Sequence, residues 1–280
     1  MKKPWAILVI GIAVLAIVGL VSITGLLGGK VKGNGKKWTW TKQQSGTDEI
    51  LIGATYGNGT FLVVGRVGTI FMEGGGREGA ILTSEDGKVW VEQDPGTDAI
   101  LRGATYGNGT FVVVGDEGTI LTSEDGRRWT AQDSRTGAEL RAATYGNGTF
   151  VVVGYAGTIL TSEDGRRWTA QDSRTDAGFL GITYDNGTFV VVGREGTILT
   201  SEDGKGWVEQ RSGTKADLWG VVYGNGTFVV VGREGTILTS EDGKGWVEQR
   251  SGTDKHLYAT TYGNGTFVVV GREGTILTSP

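Results

Sequence analysis

The chain has 280 residues, a formal charge of −4, one histidine and no cysteine. Without cysteine it has neither a disulfide framework nor a thiolate metal site, and one histidine cannot build an imidazole cluster. A mildly acidic chain is also poorly suited to nucleic acid, whose binding rests on clustered Lys and Arg.

Residues 4–29 carry no charge, and residues 5–27 form an apolar run of 23 residues. As a helix at about 1.5 Å per residue, that run exceeds a hydrocarbon core of roughly 30 Å. It predicts a transmembrane helix in an anchor segment over 1–29, in contact with the lipid bilayer through residues 5–27. The competing reading is a cleaved signal peptide with Lys2 and Lys3 as its basic start, but the run is longer than a usual signal core and no Ala-x-Ala site follows. Lys30, Lys32, Lys36 and Lys37 follow the run, so a literal charge count puts the C-terminal side in the cytoplasm. Large domains translocate largely regardless of charge, which favours a cytoplasmic N-terminus with the remaining chain periplasmic or extracellular. Residues 30–35 read as a short linker.

A repeat dominates residues 36–280. Its commonest form is T-Y-G-N-G-T-F-V-V-V-G-x-E-G-T-I-L-T-S-E-D-G-x-x-W, and its tyrosines are Tyr56, Tyr106, Tyr145, Tyr184, Tyr223 and Tyr262, spaced by 50 once and then by 39 four times. In the second copy, turn residues delimit four short strands at 101–106, 110–115, 119–123 and 127–132, each rich in Thr, Val, Ile or aromatics. Six four-strand units predict an all-β fold, a six-bladed β-propeller. Asn108-Gly109 between the first two strands suits a two-residue hairpin, and the same pair recurs at Asn58, Asn147, Asn186, Asn225 and Asn264. Each pair is followed by Thr, so all six are also formal glycosylation acceptors; a structural repeat reproduces its turn in any host, and the turn reading carries more weight.

Between the last two strands lies Thr122-Ser123-Glu124-Asp125-Gly126-Arg127-Arg128-Trp129. This stretch resembles the Asp-box of BNR-type repeats, S/T-x-D-x-G-x-x-W/F, found in sialidase propellers and in the photosystem II stability and assembly factor family. Two registers fit: Thr122 with Glu124, or Ser123 with Asp125 and a turn one residue shorter. In either, short polar side chains accept turn amides, Gly permits the reversal and Trp covers apolar surface. The resemblance covers about residues 36–280, and it implies fold more than activity, because the box itself is structural.

The copies end unevenly. The last stops at Thr278-Ser279-Pro280 without a Trp strand, while Asn34-Gly35-Lys36-Lys37-Trp38-Thr39-Trp40 stands before the first copy and reads as a displaced Asp-Gly-Arg-Arg-Trp-Thr. The segment around Trp38 is therefore expected to supply the outer strand of the sixth blade and close the ring. Copy one carries eleven extra residues, read as a lengthened hairpin with residues 74–76 near its tip, which would leave Phe71 and Met72 partly exposed as partner contacts.

Where copies differ, function is sought. The first and third turns of each blade share one face with the Asp-box; the short linker is expected to hold that face near the bilayer and point the other away. On that other face, the residues four before each tyrosine are Ile52, Arg102, Arg141, Leu180, Trp219 and Tyr258, and those after the second strand are Arg66, Asp116, Tyr155, Arg194, Arg233 and Arg272. Guanidinium groups beside aromatic rings suit a carboxylate, a sugar or an acidic loop. The bland alternative is drift at solvated loops, with each Arg of Gly-Arg-Glu-Gly pairing to its neighbouring Glu. The twin acids Glu85-Asp86, Glu124-Asp125, Glu163-Asp164, Glu202-Asp203 and Glu241-Asp242 repeat identically, which marks them as turn residues. No catalytic constellation, cofactor or metal site is expected. The resemblance implies a noncatalytic, membrane-anchored accessory, assembly or scaffold subunit of a membrane complex, specifically a photosynthetic or other bioenergetic one. The alternatives are a cell-surface glycan-binding module using Trp219 and Tyr258 and, behind it, a sialidase-like glycosidase.

Overall fold

The computed structural model describes residues 43, 45, 50–66 and 79–279, together with the backbone of Val14 and Leu15. Phe71 and Met72, the closing segment around Trp38 and the linker lie outside the described residues. So does the expected spanning helix, except at Val14–Leu15, which is extended and lies parallel to Ile50–Gly57, with Val14 opposite Gly53 and Leu15 opposite Ala54. The otherwise unpaired edge of that strand offers backbone donors and acceptors to any extended neighbour, which favours strand over helix there. Among the described residues no helix is long and apolar enough to cross a membrane.

Six antiparallel sheets follow one another. Blade 1 comprises Ile50–Gly57, Thr60–Arg66, Gly79–Ser84 and Val91–Gln93. Blade 2 is Leu101–Gly107, Thr110–Gly115, Ile120–Ser123 and Thr130–Gln132. Blade 3 is Leu140–Gly146, Thr149–Gly154, Ile159–Ser162 and Thr169–Gln171. Blade 4 is Phe179–Asp185, Thr188–Gly193, Ile198–Ser201 and Val208–Gln210. Blade 5 is Leu218–Gly224, Thr227–Gly232, Ile237–Ser240 and Val247–Gln249. Blade 6 has three strands, Leu257–Gly263, Thr266–Gly271 and Ile276–Ser279. The first strands of successive blades lie side by side, the arrangement of a six-bladed propeller.

The second strands are apolar through their middle four residues, such as Phe111 to Val114, because both faces are covered. Val112, Val114 and Ile120 of blade 2 pack against Leu140, Phe150, Val152, Leu160 and Trp168 of blade 3. The alternate residues Phe111, Val113 and Leu121 turn the other way, onto Leu62, Val64 and Ile81 of blade 1. A period of two that would normally separate core from solvent here separates one neighbouring blade from the next. Full burial of each such side chain is worth about 1.5–3 kcal/mol, so the junctions carry the stability of the ring.

The turns follow the expected chemistry. Asn108 and Gly109 both have positive φ, 47° and 77°, as a tight hairpin of this handedness needs. The Asp-box takes the register of Ser123 and Asp125. Ser123 Oγ accepts from the Gly126 amide at 2.8 Å, and Asp125 Oδ1 accepts from the amides of Arg127 and Arg128 at 2.9 and 3.0 Å. Trp168 and Trp207 follow their boxes, are buried, and donate Nε1 to the carbonyls of Gly165 and Gly204 at 3.0 and 2.9 Å.

A contact between blades was not visible in any single copy. At four junctions the tyrosine ring of the following blade lies where a Cβ on the glycine after the preceding tyrosine would sit: Tyr106 over Gly57, Tyr145 over Gly107, Tyr184 over Gly146 and Tyr262 over Gly224; between blades 4 and 5 that glycine is replaced by Asp185. The junction between blade 6 and blade 1 lacks it. Among the described residues Gly263 has nothing within 4 Å of a Cβ, and Tyr56 is 39% exposed. Val270 and Ile276, on the blade 6 face that would meet blade 1, are 36% and 67% exposed.

Candidate functional site

One end of the blades carries the variable residues. The first strand of each blade slips by one residue near its start, as between Leu101 and Gly103, and the bulge sets off the variable residue at position 102. After the second strand the chain makes a tight turn, 3-10 in four blades, such as Asp116–Gly118 and Arg194–Gly196. Its middle residue has positive φ, and its glycine approaches the next connection so closely that a Cβ on Gly118 would overlap the Thr136 carbonyl. These constraints place the residues after the first and second strands beside one another.

In blades 2 to 4 this juxtaposition forms one connected network. Arg102 forks onto Asp116, with Nε to Oδ1 and Nη2 to Oδ2 at 2.8 Å, and its Nε also lies 2.9 Å from Glu139 Oε1. Arg141 Nη2 is 2.6 Å from Glu139 Oε1 and donates to the Tyr155 hydroxyl at 2.5 Å. Arg194 Nη2 donates to the same hydroxyl at 2.9 Å, and both guanidinium carbons lie 4.6 Å from the Tyr155 ring centroid. Tyr155 is therefore held between two cations, one from its own blade and one from the next.

This corrects part of the expected site. Arg102 and Arg141 are not available as free guanidinium groups, since Asp116 and Glu139 neutralise them; Glu139 lies two residues before Arg141 and reaches Arg102 across the blade junction. Arg233 and Arg272 do pair with the adjacent Glu234 and Glu273, at 3.2 and 3.7 Å, and stay solvent-exposed. Arg194 differs: it is exposed and, among the described residues, has no carboxylate partner. Its remaining donors are the ones free to take an anion.

Blades 5 and 6 supply an apolar counterpart. Trp219 and Tyr258 have ring centroids 5.3 Å apart, and His256 meets Trp219 edge-on at 5.6 Å. His256 Nδ1 accepts from the Glu234 amide at 3.2 Å, which orients the imidazole and assigns its proton to Nε2. His256 stands out in the sequence as the one histidine, in a variable connection at this end, but nothing in the repeat pattern singled out Glu139, which lies two residues before the position compared between copies. The tight connection brings them in. Among the described residues no group of His, Asp and Glu is arranged to hold a metal. A polar hollow near Thr97, Glu117, Gln132 and Arg135 is built from turn residues on the flank of blades 1 and 2.

No family model matches the chain, and no curated protein is similar to it. Among solved structures the chain is similar to YCF48 bound to a D1 peptide, with 17% identity, a TM-score of 0.65, and coverage of 83% of this chain and 78% of that one. It is also similar to YCF48 from Cyanidioschyzon merolae, with 14% identity, a TM-score of 0.48, and coverage of 83% and 95%. At such identities the likeness is one of fold, a β-propeller.

Proposed function

We propose that this chain is a noncatalytic, membrane-anchored propeller that binds a peptide segment of a membrane-complex subunit, in the manner of an assembly factor for a photosynthetic complex. The observation that carries the reading is the asymmetry of the variable end: a carboxylate-free Arg194 on Tyr155 stands one blade from the Trp219–Tyr258 pair, in a molecule otherwise made of near-identical copies. An uncompensated guanidinium beside aromatic faces suits a chain segment presenting a carboxylate and an apolar side chain. The solved YCF48 with its D1 peptide supports a propeller of this fold in a peptide-binding role. Anchoring by residues 5–27 would take Val14–Leu15 off the edge of Ile50–Gly57 and into a membrane helix, with the N-terminus in the cytoplasm and the blades on the periplasmic side.

The test uses the full chain in detergent, titrated with the D1 peptide seen on YCF48 and with a scrambled control. Saturable binding of the first alone, weakened about tenfold or more by Arg194→Glu and by Trp219→Ala, is the expected result. Equal binding of both peptides, or binding indifferent to both substitutions, removes the reading. A glycan-array signal that disappears in Trp219→Ala would install the sugar-binding alternative in its place.

A further inference from the structure

The junction of blades 5 and 6 differs from the other four described junctions by one side chain. The clusters between blades 1 and 2, 2 and 3, 3 and 4, and 4 and 5 each include a tryptophan from the box of the later blade: Trp129, Trp168, Trp207 and Trp246. The cluster of Val229, Val231, Leu257, Phe267 and Val269 between blades 5 and 6 includes none. Its residues are correspondingly less covered: Phe267 is 6% exposed where Phe111, Phe150, Phe189 and Phe228 are at 0%, and Ile237 is half-buried where Ile120, Ile159 and Ile198 are buried. The outer edge of Ile276–Ser279 is also the one third-strand edge with no fourth strand among the described residues.

The sequence before blade 1 contains a match for the absent piece. Trp40-Thr41-Lys42-Gln43-Gln44-Ser45-Gly46-Thr47-Asp48 aligns without a gap on Trp246-Val247-Glu248-Gln249-Arg250-Ser251-Gly252-Thr253-Asp254. Trp40 then stands eleven residues before Leu51, as Trp90, Trp129 and Trp246 stand before Leu101, Leu140 and Leu257. The described Gln43 is exposed and Ser45 half-buried, like Gln249 and Ser251, and both take part in an interaction. We propose that residues 40–43 dock on blade 6 as its fourth strand and that Trp40, not Trp38, seats in the junction of blades 5 and 6. The register follows the other blades: as Thr130 lies opposite Thr122 and Val247 opposite Thr239, Thr41 lies opposite Thr278. The stretch between the apolar run and the blades becomes a tether ending at residue 39, and the blade it enters also carries Tyr258 and His256.

Because the chain has no cysteine, paired substitutions report on this docking cleanly. The full chain in detergent carrying Thr41→Cys and Thr278→Cys is oxidised with copper phenanthroline beside one carrying Thr39→Cys and Thr278→Cys. The expected result is an intramolecular disulfide in the monomer for the first pair and little for the second. Efficient bridging of only the second pair restores the Trp38 register, disulfide-linked dimers assign the edge to a second copy, and no bridge in either removes the proposal. In parallel, Trp40→Phe should lower the thermal midpoint by several degrees, as should Trp246→Phe, while Trp38→Phe should leave it in place. The reverse order also overturns the assignment. None of these outcomes depends on peptide binding.

Discussion

Arg135 and Arg174 occupy left-handed backbone, with φ of 57° and 59°, at the connection leaving blades 2 and 3. Blades 1, 4 and 5 have Gly96, Gly213 and Gly252 there, with φ between 69° and 80°. What holds the arginines is the residue two before: Asp133 and Asp172 accept the arginine amides at 2.9 Å, a turn that repays part of the backbone strain. The Cβ penalty remains, so Arg174→Gly is expected to stabilise the protein by about 1 kcal/mol. Urea unfolding measures it, and a lower midpoint in the variant would mean that the arginine side chain does more than its 59° backbone suggests. Elsewhere, side chains cooperate across copies: the hydroxyl of Tyr155 is reached by cations from two blades, and Glu139 by two arginines. Such sharing is what a residue-by-residue comparison of repeats cannot foresee.

The Asp-box is the element that joins third strand to fourth. Backbone amides of Arg167 and Arg166, donating to Asp164, hold its carboxyl well below the usual carboxylate range, and the amides of Arg128 and Arg127 do the same for Asp125. The ionised form is the one the fold favours, so its contribution is present above an ordinary aspartate pKa of about 4 and is lost as pH falls below it. Asp164→Ala should therefore cost about 1 kcal/mol at neutral pH, a modest figure because the carboxylate is 40% exposed, and the difference from the parent should shrink toward pH 3. A gap between the two proteins that stayed constant from pH 7 to pH 3 would contradict this account. Strands and turns were legible in the sequence because Asn-Gly recurs in all six copies, and Gly-Thr and Asp-Gly at the same offsets from it in copies two to five. The box register was not, since Glu124 and Asp125 are both acids and only the paths of the Gly126, Arg127 and Arg128 amides choose between them. The variable end was half legible: its positions were found, but not the pairing of Arg102 and Arg141, because Asp116 lies in the turn after the second strand and Glu139 in the connection that enters blade 3.

At the scale of the whole molecule the stacking of tyrosine on glycine measures how each blade meets the next. A Cβ on Gly146 would overlap the Tyr184 ring, which is flanked by Phe189 at 4.4 Å and has little room to withdraw. Gly146→Ala is thus expected to destabilise the ring by about 1–3 kcal/mol through overpacking. Gly263 holds the same place in blade 6 but meets no described neighbour, and Tyr56, the blade 1 tyrosine that would stack on it, is partly exposed. Gly263→Ala should accordingly change stability by less than about 0.5 kcal/mol, the range of a surface substitution. The pair of variants separates two architectures. If both are equally damaging, blade 6 meets blade 1 in solution as the other blades meet, and the seam is closed by tyrosine stacking. If only Gly146→Ala is damaging, the ring is held by five similar junctions, four of them with a tyrosine over a glycine, and a sixth of different construction.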